Sequence, residues 1–142
     1  MVSQFSTVIL LVLSFILVGI IGLEREKKGR SAGLRTHILV CVGSTLFMLT
    51  SLYVYDIYQD KATLDPARIA AGVVAGIGFL GAGTIIRGGE ASLGLTTAAS
   101  IWISAAIGLA VGCGYLSAAI VATLISFLTL YCLKQLEMKL DK

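Results

Sequence analysis

The chain has 142 residues, 57% hydrophobic and 13% charged, with a mean hydropathy of +0.95. A soluble domain carries about 25% charged residues; half that, around several apolar runs of near 20 residues, excludes an ordinary soluble domain and implies a helical protein built as one domain in the lipid bilayer. The net charge of +3 is small and clustered, and no basic stripe or nucleic-acid motif goes with it, which excludes nucleic acid as a partner.

The first apolar run predicts a helix over residues 6–23. Only Met1-Val2-Ser3-Gln4 precedes it and its basic residues follow it, so it reads as a retained helix and not as a cleaved leader. The most charged stretch comes next, Glu24-Arg25-Glu26-Lys27-Lys28-Gly29-Arg30-Ser31-Ala32-Gly33-Leu34-Arg35. A second helix is predicted over 36–55, with Tyr53, Tyr55 and Tyr58 at an interface where aromatic rings gather. Asp56, Asp60, Lys61 and Asp65 make the following loop acidic.

A third helix is predicted over 66–86, opened by Asp65 as N-cap and Pro66 at its first position. A fourth covers 95–111, Gly112-Cys113-Gly114 makes a tight turn, and a fifth covers 115–133. With an external N-terminus and a cytoplasmic C-terminus, nine basic residues fall inside and two, Lys61 and Arg68, outside. That asymmetry predicts the N-out, C-in orientation. The expected architecture is an all-α membrane protein of five transmembrane helices, with no soluble domain after the last one.

Helix 3 holds four glycines in eight residues, Gly76, Gly78, Gly81 and Gly83, with Gly72 one turn earlier. Glycine weakens a helix by roughly 1 kcal/mol against alanine, so the cluster implies either close helix packing or a helix broken to line a polar cavity. The literal G-x-G-x-x-G from Gly76 to Gly81 lacks the strand, the amphipathic helix and the later acid of a dinucleotide site. Helix 4 carries Thr96, Ser100, Ser104, Gly108 and Gly112 at four-residue spacing, hence on one face. The economical expectation packs helices 3 and 4 through Gly72, Gly76 and this stripe; a hydroxylated pore wall is the alternative.

Charges are scarce in the spans. Glu24, Glu26, Arg35, Arg68 and Arg87 sit at predicted edges, and no carboxylate lies near a helix midpoint, which weighs against a midplane proton or cation site. Glu24 and Glu26 are the candidate magnesium ligands, since Mg²⁺ keeps most of its waters and takes one or two carboxylates. Their alternative is ion pairing with Arg25, Arg35 or Arg87. The loop before helix 2 can hold an anion or a lipid phosphate. His37 is expected at the interface, Cys41 and Cys132 in or near the bilayer and Cys113 in a turn, as structural thiols. No catalytic constellation is visible, and the chain reads as a non-enzyme.

Three blocks carry a family resemblance: Gly22-Leu23-Glu24-Arg25-Glu26 with Ala32-Gly33-Leu34-Arg35-Thr36-His37; Arg68-Ile69-Ala70-Ala71 leading into Gly76-Ile77-Gly78-Phe79-Leu80-Gly81; and Gly94-Leu95-Thr96-Thr97-Ala98-Ala99 with Trp102. In order and spacing they resemble the MgtC/SapB family of bacterial inner-membrane proteins. The resemblance implies five membrane helices and a link to growth in low magnesium. It offers two activities, regulation of another membrane protein or transport of magnesium or another small solute. A homo-oligomer, a dimer as first expectation, is the assembly. The expected functional cluster is Glu24, Glu26, Arg35 and Arg87 within reach of one another, with Arg68 and Thr96 as further candidates.

Overall fold

The computed structural model describes residues 3–60, 63–87 and 91–133, with the backbone alone at 87, 91–93 and 133. It is all-helical, with no strand among the described residues. The helices are α1 (Gln4–Lys27), α2 (Leu34–Tyr58), α3 (Ala67–Arg87), α4 (Ala91–Gly112) and α5 (Leu116–Leu128), and α5 runs on into a π-helical turn, Thr129–Leu133. The first four are long and apolar enough to cross a membrane, while α5 with its π turn is a shorter apolar helix.

Helix ends follow from local chemistry. Ser3 caps α1 by accepting the Ser6 amide at 3.1 Å. α1 closes with the Gly29 amide on the Glu26 carbonyl and the Arg30 amide on the Arg25 carbonyl. This two-bond closure needs a left-handed residue, supplied by Gly29 at φ 61°. The same closure ends α4, where Tyr115 donates to Ala110 and Gly114, at φ 80°, donates to Val111. Asp65 Oδ1 accepts the Ala67 amide at 2.9 Å ahead of α3. α1 extends one turn beyond the expected 23, so Glu24, Arg25 and Glu26 are helical, and α4 begins at Ala91, earlier than the expected 95.

α4 is the central helix, packed by α1, α2, α3 and α5. One core cluster joins Val18 and Ile21 of α1, Cys41 of α2, Ile107 and Val111 of α4 and Ala119 of α5. A smaller one joins Ala32 of the α1–α2 loop to Ile77 of α3 and Ile101 and Ala105 of α4.

One alternative about the glycines falls away and one expectation needs correction. α3 is one continuous helix through all its glycines, so it is not broken at them. Nor do the Gly72–Gly76 face and the α4 stripe meet. A Cβ on Gly108 would strike the Cys41 carbonyl oxygen and lie 2.9 Å from the Ser44 Cβ, and one on Gly112 would lie 2.8 Å from the Thr45 oxygen. The stripe therefore packs on α2. A Cβ on Gly72, Gly76, Gly78 or Gly83 would meet nothing within 4 Å. α3 instead reaches α4 near its other end, where Gly81 faces Ala98 and Gly94 backs onto Ile85. The reason is geometric: α2 already occupies the hydroxyl face of α4, and α3 is left with the neighbouring one.

Candidate functional site

Polar side chains collect where the charged end of α1 meets the start of α2 and the first turns of α4. The helical extension of α1 turns Arg25 inward, where it is 3% exposed and donates from Nη2 to Thr97 Oγ1 at 3.0 Å. Glu24, also buried, pairs with Lys28 one turn on. Lys28 reaches further, donating to the Leu130 carbonyl at 3.1 Å and lying 5.3 Å from the centre of the Tyr131 ring. One lysine thus ties the end of α1 to the π turn after α5. The π geometry suits this, because a turn wound more widely departs from the regular i→i−4 pairing of its carbonyls.

Glu26 faces the other way. Its Oε2 accepts the Leu34 amide at 2.8 Å, filling the N-terminal position of α2 with the chain's own carboxylate. An anion at this helix start would therefore find the Leu34 amide taken. Gly33 leaves room for this arrangement, since a Cβ there would push the Glu26 carboxylate out of this position.

His37 lies at the centre of the cluster and is fully buried. Its Nδ1 donates to the Gly33 carbonyl at 2.8 Å, and its Nε2 is 3.0 Å from Ser100 Oγ. Ser100 also donates to the Thr97 carbonyl at 2.8 Å. One serine proton thus serves two acceptors whenever the imidazole is neutral. Deeper in the bundle, Thr45 Oγ1 bridges its own helix and α4, at 3.0 Å from the Cys41 oxygen and 2.9 Å from the Gly108 oxygen. Ser44 and Ser104 bond back to carbonyls of their own helices.

The sequence candidates are distributed unevenly over this geometry. Glu24 and Glu26 do not converge on a shared ion position, because residues two apart on a helix face different ways. Among the described residues no group of three His, Cys, Asp or Glu is placed to hold a metal ion. Arg35 is exposed and is not the partner of Glu24; Lys28 is. The Arg87 side chain lies outside the described residues. Arg68 stands at the far end of α3, lining a cavity of about 270 Å³ with Tyr55 and Asp65, so it does not belong to the cluster. Thr96 is exposed beside the buried Thr97. His37, in the first turn of α2, is buried among the helices, and Cys113 and Cys132 are exposed whereas Cys41 is buried.

The profile of the MgtC family matches residues 11–139, nearly the whole chain. The chain belongs to the MgtC family. Among curated relatives, YhiD of Escherichia coli K12, whose name proposes it as a magnesium transporter, is 46% identical over 135 residues, covering 94% of this chain and 63% of YhiD. SrpB of Synechococcus elongatus is 40% identical over 89% of this chain and 74% of its own length. The MgtC protein of Salmonella typhimurium is 43% identical over 86% of this chain and 50% of its own. The chain thus spans less than two thirds of YhiD and half of that MgtC protein. No solved structure matches.

Membership in the MgtC family, with four helices able to span a bilayer, makes this a multi-pass protein of the bacterial inner membrane. For such a chain, Arg25, Lys28, His37 and Thr97 are the cluster members that sequence reasoning passed over. Two signals were available. Glu24 and Lys28 have the i,i+4 spacing of a helical ion pair, visible once α1 is allowed to run through the charged stretch. A histidine inside an apolar helix also needs partners for both ring nitrogens, and the hydroxyls of another helix can supply them.

Proposed function

We propose that this MgtC-family chain serves adaptation to low magnesium as a non-enzymatic regulator that binds another membrane protein. The observation that carries this reading is how the core polar groups are used. Arg25, His37 and Thr45 are engaged with α4 across helix contacts, through Thr97, Ser100 and the Gly108 carbonyl. Hydroxyls spent on holding helices together do not line a conducting path. The magnesium link is supported by the name of YhiD. The same name favours the second reading, transport of magnesium or another small solute. The region offered to a partner is the surface at the charged end, where Glu26 and Thr96 are exposed above the buried Glu24, and a homodimer is the assembly we favour.

In this reading the N-terminus is outside and the charged α1–α2 loop cytoplasmic, supported by nine basic residues on that side against two on the other. The deciding experiment places the full chain alone in liposomes loaded with a magnesium-sensitive dye. The regulator reading expects magnesium entry no faster than into protein-free liposomes. Entry well above that level overturns it and selects transport.

A further inference from the structure

α2 and α3 run antiparallel and leave an open groove of about 640 Å³ between them. Leu39, Gly43 and Phe47 form one wall and Gly72, Gly76 and Leu80 the other, and the lining is almost wholly carbon. Ser44 also faces it, but its hydroxyl donates to the Val40 carbonyl at 2.7 Å and demands nothing from an occupant. Such a surface takes hydrocarbon.

The dimensions say which hydrocarbon. Along α3 the groove runs from Ile69 to Leu80, roughly 16 Å at the helical rise. One leaflet's half of the hydrocarbon core is roughly 15 Å deep. The groove is about as long as one leaflet is deep and is lined by carbon, which fits an acyl chain.

Charge says which lipid. Arg35 lies one turn before Leu39 on the same side of α2, is exposed, and has no hydrogen bond or ion pair among the described residues. The neighbouring Leu34 amide is already taken by Glu26, and the guanidinium is the exposed cationic donor at this helix start. Arg is the side chain best matched to a phosphate, through paired N–H donors. We propose that the α2–α3 groove holds an acyl chain of an acidic phospholipid whose phosphate is bound by Arg35, at the membrane face that carries the α1–α2 loop.

The test is native mass spectrometry of the full chain, released from detergent containing equal dioleoyl phosphatidylglycerol and dioleoyl phosphatidylcholine. The wild type should retain phosphatidylglycerol in preference by roughly fivefold, the size of one basic residue's attraction to an acidic leaflet. Arg35→Gln should bring the two lipids to parity. Gly76→Phe, at a position where a Cβ meets nothing within 4 Å, should reduce retention of both. If Gly76→Phe loses its helical circular dichroism, Gly72→Leu, equally open, replaces it. An unchanged preference in Arg35→Gln overturns the site, as does unchanged retention in the groove variants. Loss of a dimer in those variants, with lipid retention intact, assigns the groove to a second copy of the chain and also overturns it.

Discussion

α3 and α4 are both rich in small residues, yet half of α4's spanning window is buried and only 11% of α3's. On α4, Gly108 and Gly112 let the backbone of α2 approach so closely that a methyl group would collide with Cys41 or Met48. On α3, Gly72 and Gly76 have the four-residue spacing of a packing pair but face open groove. One residue type thus does two different things. Where a partner backbone is present, glycine sets the distance between helices; where none is present, it sets the depth of a furrow. Spacing alone does not tell these apart, because a small-residue stripe specifies what a face permits and leaves open which element arrives to use it.

The sharpest way to break the comparison is to place the same side chain on both helices. Gly108→Leu should destabilise the protein by about 3 kcal/mol, at the upper end of overpacking effects, since the collision is with the main chain of α2 and not with a movable side-chain end. It is read as a drop in thermal midpoint in detergent, and Gly76→Leu should leave that midpoint nearly unchanged. Equal losses at both sites would mean that the α3 face is as tightly covered as the α4 face.

A smaller effect is expected at the charged end, which belongs to the closed half of the molecule. Glu24→Gln removes the acidic partner of Lys28 but leaves the lysine its Leu130 carbonyl and Tyr131 ring. A loss of about 1–2 kcal/mol follows, near the lower end of the range for an orphaned buried polar group. Exchanging the pair, Glu24→Lys with Lys28→Glu, should recover part of it. No recovery, with the double variant folded, would give Glu24 a role beyond this ion pair. The smallest effect has the opposite sign. Gly76→Ala adds a methyl group into open space and removes a flexible residue from a helix, so stability should rise by about 0.5 kcal/mol.

The helical, membrane-spanning character of the chain was legible from long apolar runs and sparse charge, and the helix ends were nearly so. Gly112-Cys113-Gly114 and Asp65-Pro66 carry their turn chemistry in their own residues. The packing order was not legible. Nothing local to Ser100 or Gly108 says that α2, and not α3, lies against them. The charged cluster was half legible. Glu24 and Glu26 were singled out, but their partners depended on how far α1 continues. One more helical turn would have carried the helix past Gly29, and one fewer would have ended it before Glu24 and Arg25. The roles of Arg25 and His37 depended on α4, which lies more than 60 residues further along the chain.

The central place of α4 also bears on how the protein is made. It carries buried hydroxyls at Thr97, Ser100 and Ser104 and is the one of the four spanning helices most enclosed by its neighbours. A nascent chain enters the bilayer from its amino end, so α1 and α2 are in place before α4 leaves the ribosome. Arg25 and His37 are then waiting for the Thr97 and Ser100 hydroxyls, and Thr45 for the Gly108 carbonyl. The polar seam that holds the finished bundle together is therefore also available during synthesis to align the chain's own fourth helix against the first two.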